Sequence, residues 1–193
     1  LNTLDEEIEL IQGLNHSRNR EVGLFVGITA PVWHLQQGRD ITGRVAEVLK
    51  QYGYTKRDDA AIVQSVEADA LKQIRKKHAC NLPLCQRICG SAEDPMTTAE
   101  GLRAIATYAD SIGPTVEHLV TGRDKENRIV FTDLVDVAHK HKLKVFPHTL
   151  RTDRLPPFVD DFEELLNLVL SRANADGAST DFPDRMAHFL NRH

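Results

Sequence analysis

No apolar run in this chain reaches the roughly 20 residues that a helix needs to cross a bilayer, so no membrane span is expected. Positive charge is not in surplus: 24 Lys and Arg stand against 28 Asp and Glu, a formal net charge of -4. A nucleic-acid binder needs a basic face for phosphates, and that class falls away. Cysteine is scarce. Cys80, Cys85 and Cys89 are too few and too odd in number for a disulfide scaffold, though one disulfide with a spare thiol stays open. They also lack a fourth ligand in pattern for structural zinc, and small buried apolar residues is the description they fit. There is no repeat of fixed period and no Gly/Ser-rich or Pro-rich linker. The chain opens on Leu1 with neither a basic n-region nor an apolar h-region. Residues upstream, or a signal or tag already removed, would explain that start. The compartment is not legible.

What is present is ordinary for a globular chain. With 193 residues, 41% of them hydrophobic and 27% charged, one well-buried domain over 1–193 is expected rather than two. Apolar runs that read as parallel strands cover 22–28, 61–66, 82–88, 111–114, 144–149 and 177–180. Helical spacing separates them. Ile41, Val45, Val48 and Leu49 recur on one face, and so do Leu71 and Ile74. Leu102, Ile105 and Ala109 follow Thr97 and Glu100, which are spaced as a capping box. Leu134, Val135 and Ala138 mark a further helix, and Phe162, Leu165, Leu166 and Val169 another. Pro183 suits the first turn of a last helix carrying Met186, Phe189 and Leu190. Two stretches, 91–98 and 122–127, read as surface loops. The alternation predicts an α/β fold with about six parallel strands and helices packed outside them. Eight strands and typically about 250 residues close a barrel, so a partial TIM-barrel-like (β/α) fold is expected.

Several short motifs in one order carry a resemblance. They are Leu4 through Ile11, then Val26-Gly27-Ile28-Thr29-Ala30-Pro31 with Trp33, His34, Gly38 and Asp40 after it, and Val48 through Tyr54. Gln64, the run Tyr108 through Pro114, Pro147-His148-Thr149-Leu150-Arg151-Thr152-Asp153-Arg154-Leu155-Pro156, and Thr180 through Asp184 complete the set. Together they make nearly the whole chain resemble the C-terminal portion of the longer bacterial glycerophosphodiester phosphodiesterases, whose members are often periplasmic or exported. The resemblance implies a phosphodiesterase-type barrel lacking its first strands. It also implies a family chemistry: hydrolysis of glycerophosphodiesters to glycerol 3-phosphate and an alcohol, with a divalent cation, often calcium.

The resemblance also locates what differs. The family segment Pro-Glu-Ile-Lys-Ala-Pro supplies a metal-binding Glu, and Gly27 stands at that position, with Thr29 in place of the Lys. The family's opening His-Arg-Gly and His-Asp motifs do not occur in this chain, and its one Glu-x-Asp, Glu67-Ala68-Asp69, comes after the segment at Gly27 rather than before it. Diester hydrolysis needs charge neutralisation at phosphate and a positioned proton donor, and calcium relies on several oxygen ligands. No catalytic residue, no metal ligand and no cofactor are therefore expected here.

Polar residues at strand ends remain candidates for binding: Gln64, Glu67, Asp69, Arg87, Glu117, His118, His148, Arg151, Asp153 and Asp181. The resemblance places Gln64 and His148 along the substrate pocket, and Arg151 joins them as a substrate-binding candidate. Asp181 reads as a helix N-cap. His139 and His141 suit a helix C-terminus better than a metal. Trp33 and His34 are either a pocket wall or loop packing. Glu117 and His118 form the one adjacent acid/base pair at a strand end. The expected partner is a small glycerophosphodiester. A homo-oligomer, or completion by a missing N-terminal half, would cover strand edges left unpaired. A non-catalytic binding protein that kept the fold and lost the metal is the alternative.

Overall fold

The computed structural model describes residues 2–91 and 93–192. They form two compact units, Leu1–Gln86 and Arg87–His193.

Unit one begins with α1 (Leu4–Arg18), started by a capping box in which Thr3 accepts from Glu6 N–H while Glu6 reaches back to the Thr3 backbone. Acidic residues fill its first turn and His16 and Arg18 its last, in line with the helix dipole. Strand β1 (Leu24–Ile28) follows, then the short α2 (Pro31–Gln36), which periodicity alone does not reveal, and α3 (Ile41–Gln51), capped by Asp40. Strand β2 (Ala61–Ser65), α4 (Ala68–Lys76) and β3 (Leu84–Arg87) complete this part of the chain. β1 pairs parallel with β2, Gly27 opposite Gln64, and β2 pairs parallel with β3, Val63 opposite Leu84. The expected apolar positions are the core: Ile8, Leu49, Val63, Leu71, Ile74, Leu82 and Leu84 are fully buried. Each such side chain contributes roughly 1.5–3 kcal/mol. Unit one also keeps much apolar surface in view. Leu10, Leu14, Val22, Phe25, Val32, Trp33, Leu35 and Val66 are all exposed.

Unit two carries α5 (Ala99–Ile105), β4 (Ser111–Gly113) and a hairpin of β5 (Val120–Arg123) and β6 (Ile129–Phe131). It continues with α6 (Leu134–Lys140), β7 (Lys144–Val145), α7 (Phe162–Leu166) running into a π-helical turn Asn167–Arg172, and α8 (Pro183–Leu190). β4 pairs parallel with β7. Ile112, Val145, Leu150, Leu168 and Val169 are fully buried here.

Three expectations are corrected. The stretch 122–127 is not simply a loop. Gly122 and Arg123 belong to β5, antiparallel to β6, with an irregular register at Gly122, whose φ of +131° only glycine adopts readily. The turn is held by Asp124, which accepts from the backbone of Glu126 and Arg128. β5 (Val-Thr-Gly-Arg) carries no apolar alternation, and β6 (Ile-Val-Phe) has the residues of a strand but only three of them, too short a run to stand out. The sixth strand shrinks to one parallel bridge between Leu150 and Thr180, because 177–180 offers no large apolar side chain to bury, only Ala178. The α5 cap sits one residue later than expected. Thr98 Oγ1 accepts from Gly101 N–H, while Thr97 lies in a 3-10 turn that starts at Pro95. Among the described residues no helix is long and apolar enough to cross a membrane.

Candidate functional site

In unit one, the strand ends are set by backbone clamps. Ser65 Oγ donates to the Ile28 carbonyl at 2.9 Å and accepts from Glu67 N–H. Gln86, fully buried, donates through Nε2 to the Val66 carbonyl at 2.9 Å. Gln64 is half-buried on β2 beside Gly27. A Cβ built at Gly27 would lie 3.5 Å from Gln64 Nε2, an ordinary contact. The site of the expected carboxylate therefore holds a single hydrogen with room around it. Asp69 pairs with Lys72 on the α4 surface, and Trp33 stacks edge-on against His34 at 4.8 Å. Trp33 stays exposed.

Unit two gathers more chemistry. His148 follows β7 and bridges to Thr115. The Arg87 guanidinium donates to its Nδ1 at 3.1 Å. With Nδ1 accepting, the neutral ring carries its proton on Nε2, which lies 3.8 Å from Cys89 Sγ. Burial, and then the Arg87 charge, push His148 down from 6.5 to about 4. The ring is neutral at pH 7. Its folded pKa lies below the unfolded value, so the folded chain binds fewer protons than the unfolded chain between those two values. The stabilising contribution is complete above about pH 6.5 and is lost as pH falls toward 4. One pKa unit is about 1.4 kcal/mol; allowing for the ring's partial exposure, the acid loss is on the order of 2 kcal/mol. Urea melts at pH 7 and pH 4.5 check this, and His148→Phe is expected to shrink the difference. An unchanged difference in that variant would place the acid sensitivity elsewhere.

His118 takes a different part from the one its neighbour suggests. It is buried, with Nδ1 accepting from Thr115 N–H at 3.1 Å and Nε2 donating to the Ser91 carbonyl at 2.9 Å. Both nitrogens are used, so His118 holds a turn and has no lone pair for a substrate. The adjacent Glu117 is exposed, and the pair is not an acid/base couple. Asp181 does not cap α8 either. Phe182 occupies the N-cap and Pro183, which has no N–H, comes next, while the Asp181 carboxylate accepts from Arg151. Arg151 also holds Asp153 through two hydrogen bonds of 3.0 and 2.7 Å. The Arg151 hydrogen bonds hold the Asp153 carboxyl below its ordinary range.

His148 and Arg151 line one cavity of about 500 Å³, together with Thr115, Glu117, Arg154 and the apolar Leu155, Pro156 and Leu165. Gln64 belongs to unit one. Among the described residues Arg154 makes no hydrogen bond or ion pair, which leaves its guanidinium available to an anion. Sequence reasoning gave Arg154 no role of its own. It expected Cys89 to be a small buried residue, and that expectation is corrected: Cys89 follows the end of β3 at Arg87 and is exposed. Cys80 and Cys85 are buried, Cys89 is exposed, and none of the three is in a disulfide. His139 Nε2 donates to the Asp176 carboxylate at 2.9 Å, and His141 is the C-cap of α6. Among the described residues no group of three or more His, Cys, Asp or Glu side chains could hold a metal ion, so the residues described here do not fit a cation site.

The sequence profile of the glycerophosphoryl diester phosphodiesterase family matches residues 1–185. The chain belongs to that family. A glycerophosphodiester phosphodiesterase of Haemophilus influenzae is 33% identical over 98% of the chain, and one of Treponema pallidum is 29% identical over all of it. The chain spans 58% and 60% of those two relatives' length. Among solved structures, a Silicibacter pomeroyi DSS-3 protein assigned to the glycerophosphoryl diester phosphodiesterases superposes with a TM-score of 0.68 at 19% identity, covering 98% of this chain and 56% of that one. An Oleispira antarctica phosphodiesterase, solved with the product sn-glycerol-3-phosphate, gives 0.63 at 16% identity, covering 98% and 61%. Parallel strands alternating with helices, in the likeness of these phosphodiesterases, make this member of the family a partial α/β barrel.

Proposed function

We propose that this phosphodiesterase-family chain binds glycerophosphodiesters through unit two and does not hydrolyse them by itself. The observation that carries the reading is Gly27: a hydrogen where the family resemblance places a metal-binding carboxylate, with no cation site among the described residues. The two imidazoles near the cavity support it. His118 has both nitrogens engaged, and His148 has its acceptor nitrogen occupied by Arg87. Neither can take a proton from water without first giving up a partner. In an intact family member the products would be glycerol 3-phosphate and an alcohol, with a divalent cation, calcium by resemblance, neutralising phosphate. In this chain Arg154 and the cavity around it supply the anion site, and Gln64 is a further binding candidate from unit one.

Two forms of the reading differ in what completes the chain. Exposed Phe25, Val32, Trp33 and Leu35 in unit one, and the 58–60% span of the relatives, favour completion by an N-terminal half or by a second copy. The alternative is a binding protein that kept the fold and lost the metal. One experiment addresses all of this. Glycerophosphocholine is offered to the chain with calcium, with EDTA, and with a relative's N-terminal portion added, while glycerol 3-phosphate release and binding are followed. Saturable binding without release is expected, and Arg154→Met should weaken it about tenfold, the value of one charge-assisted hydrogen bond. EDTA-sensitive release by the chain alone would end the reading. Release only on adding the N-terminal portion would favour completion over the stand-alone binder.

A further inference from the structure

We infer that Glu117 reads positive charge on the alcohol part of the ligand, so that the cavity favours glycerophosphodiesters with a cationic head group over neutral ones. The inference rests on the phosphodiester reading above and narrows it. Glu117 sits in the 3-10 turn Val116–His118, between two buried side chains. Val116 and His118 point inward and His118 is fixed at both nitrogens, so the backbone that carries Glu117 is held in place. Its own carboxylate is exposed and makes no hydrogen bond or ion pair among the described residues. That contrasts with Arg151 and Arg123, whose guanidinium groups are tied to carboxylates and backbone carbonyls of their own unit.

Glu117 also lines two recesses at once. One is the cavity of Arg154 and His148. The other, about 520 Å³, is walled by Val120, Pro157 and Phe158. A ligand whose phosphate sits at Arg154 can extend past Pro157, which borders both recesses, toward the apolar wall. A weakly hydrated ammonium placed there meets the Glu117 carboxylate without losing much water. A neutral head group finds no matching charge, and an anionic one is repelled. Because Glu117 is exposed, the discrimination is modest, about three- to fivefold at low salt, and it falls as salt screens it.

Binding isotherms of sn-glycerol 3-phosphate, glycerophosphocholine and glycerophosphoglycerol to the full chain and to Glu117→Gln test this. Glycerophosphocholine is expected to bind about three- to fivefold tighter than glycerophosphoglycerol to the parent chain and equally to the variant. Glycerol 3-phosphate should bind the two chains alike or the variant slightly better. A head-group preference that is absent in the parent, or that survives in Glu117→Gln, overturns the role of Glu117 and leaves the phosphodiester reading standing. No binding of any of the three ligands to a folded parent chain overturns that reading, and the role of Glu117 with it.

Discussion

Alanine at position 101 is expected to destabilise the chain by about 2 kcal/mol, although glycine to alanine inside a helix ordinarily gains up to about 1 kcal/mol. Gly101 lies in the first turn of α5, where the preceding 3-10 turn folds back over it. A Cβ there would stand 2.2 Å from the Pro95 carbonyl oxygen and 2.8 Å from the Met96 Cα. Both are backbone atoms, and the Pro95 ring fixes its own φ, so the clash can be relieved only by moving the turn. Thr98, which caps the helix through Gly101 N–H and donates to the Pro95 carbonyl, would move with it. Gly13 supplies the contrast. It lies in α1 with nothing within 4 Å of a built Cβ, and Gly13→Ala should stabilise by up to about 1 kcal/mol. Urea denaturation of both variants measures the opposed signs. Equal shifts would mean that the 95–98 turn gives way freely.

His118→Ala is the second large effect, with an expected loss of about 2–3 kcal/mol. The imidazole is 3% exposed and joins Thr115 N–H to the Ser91 carbonyl. Truncation takes the His118 acceptor from Thr115 N–H and opens a cavity, while the Ser91 carbonyl keeps Asp94 N–H as a donor; an unsatisfied buried group costs roughly 1–3 kcal/mol. For a chain of 193 residues that is a fall of roughly 5–10 °C in melting temperature. His118→Gln, which can both accept and donate, should recover part of it. A thermal melt followed by circular dichroism suffices. A His118→Ala chain that melts with the parent would release this histidine from the structural role and reopen it as a base.

The contrast between these two residues and the candidate list shows what a sequence can carry. Periodicity located β1 to β4 and β7 and helices α3 to α8 because burial imposes it. Leu49, Leu71, Ile74 and Leu102 read as core in the chain and are fully buried in the fold. Conformation set by a few polar atoms was less visible. The α5 cap slipped by one residue because Asp94 and Pro95 build a turn ahead of it, and β5–β6 went unseen because Gly122 and Arg123 do not alternate. At the candidate site, His148 and Arg151 were legible through the motif they share, and they do line one cavity. The roles of Asp181 and His118 were not, because each depends on a partner distant in the chain: Arg151 for one, Ser91 for the other. Arg154 was overlooked for a related reason. Its availability follows from Arg151 having already taken the nearby carboxylates, which no local pattern records.

The open space beside Gly27 bears on how easily a carboxylate could be placed there. Had a bulky neighbour filled the gap, any return of a carboxylate would have required repacking of β1 and β2. Instead the nearest atom to a restored Cβ is the flexible amide of Gln64, at a comfortable 3.5 Å. The β1–β2 register sets Gly27 beside Gln64, so a side chain placed at 27 would stand next to that amide. A carboxylate at position 27 therefore asks for one substitution and leaves the scaffold around it as it is.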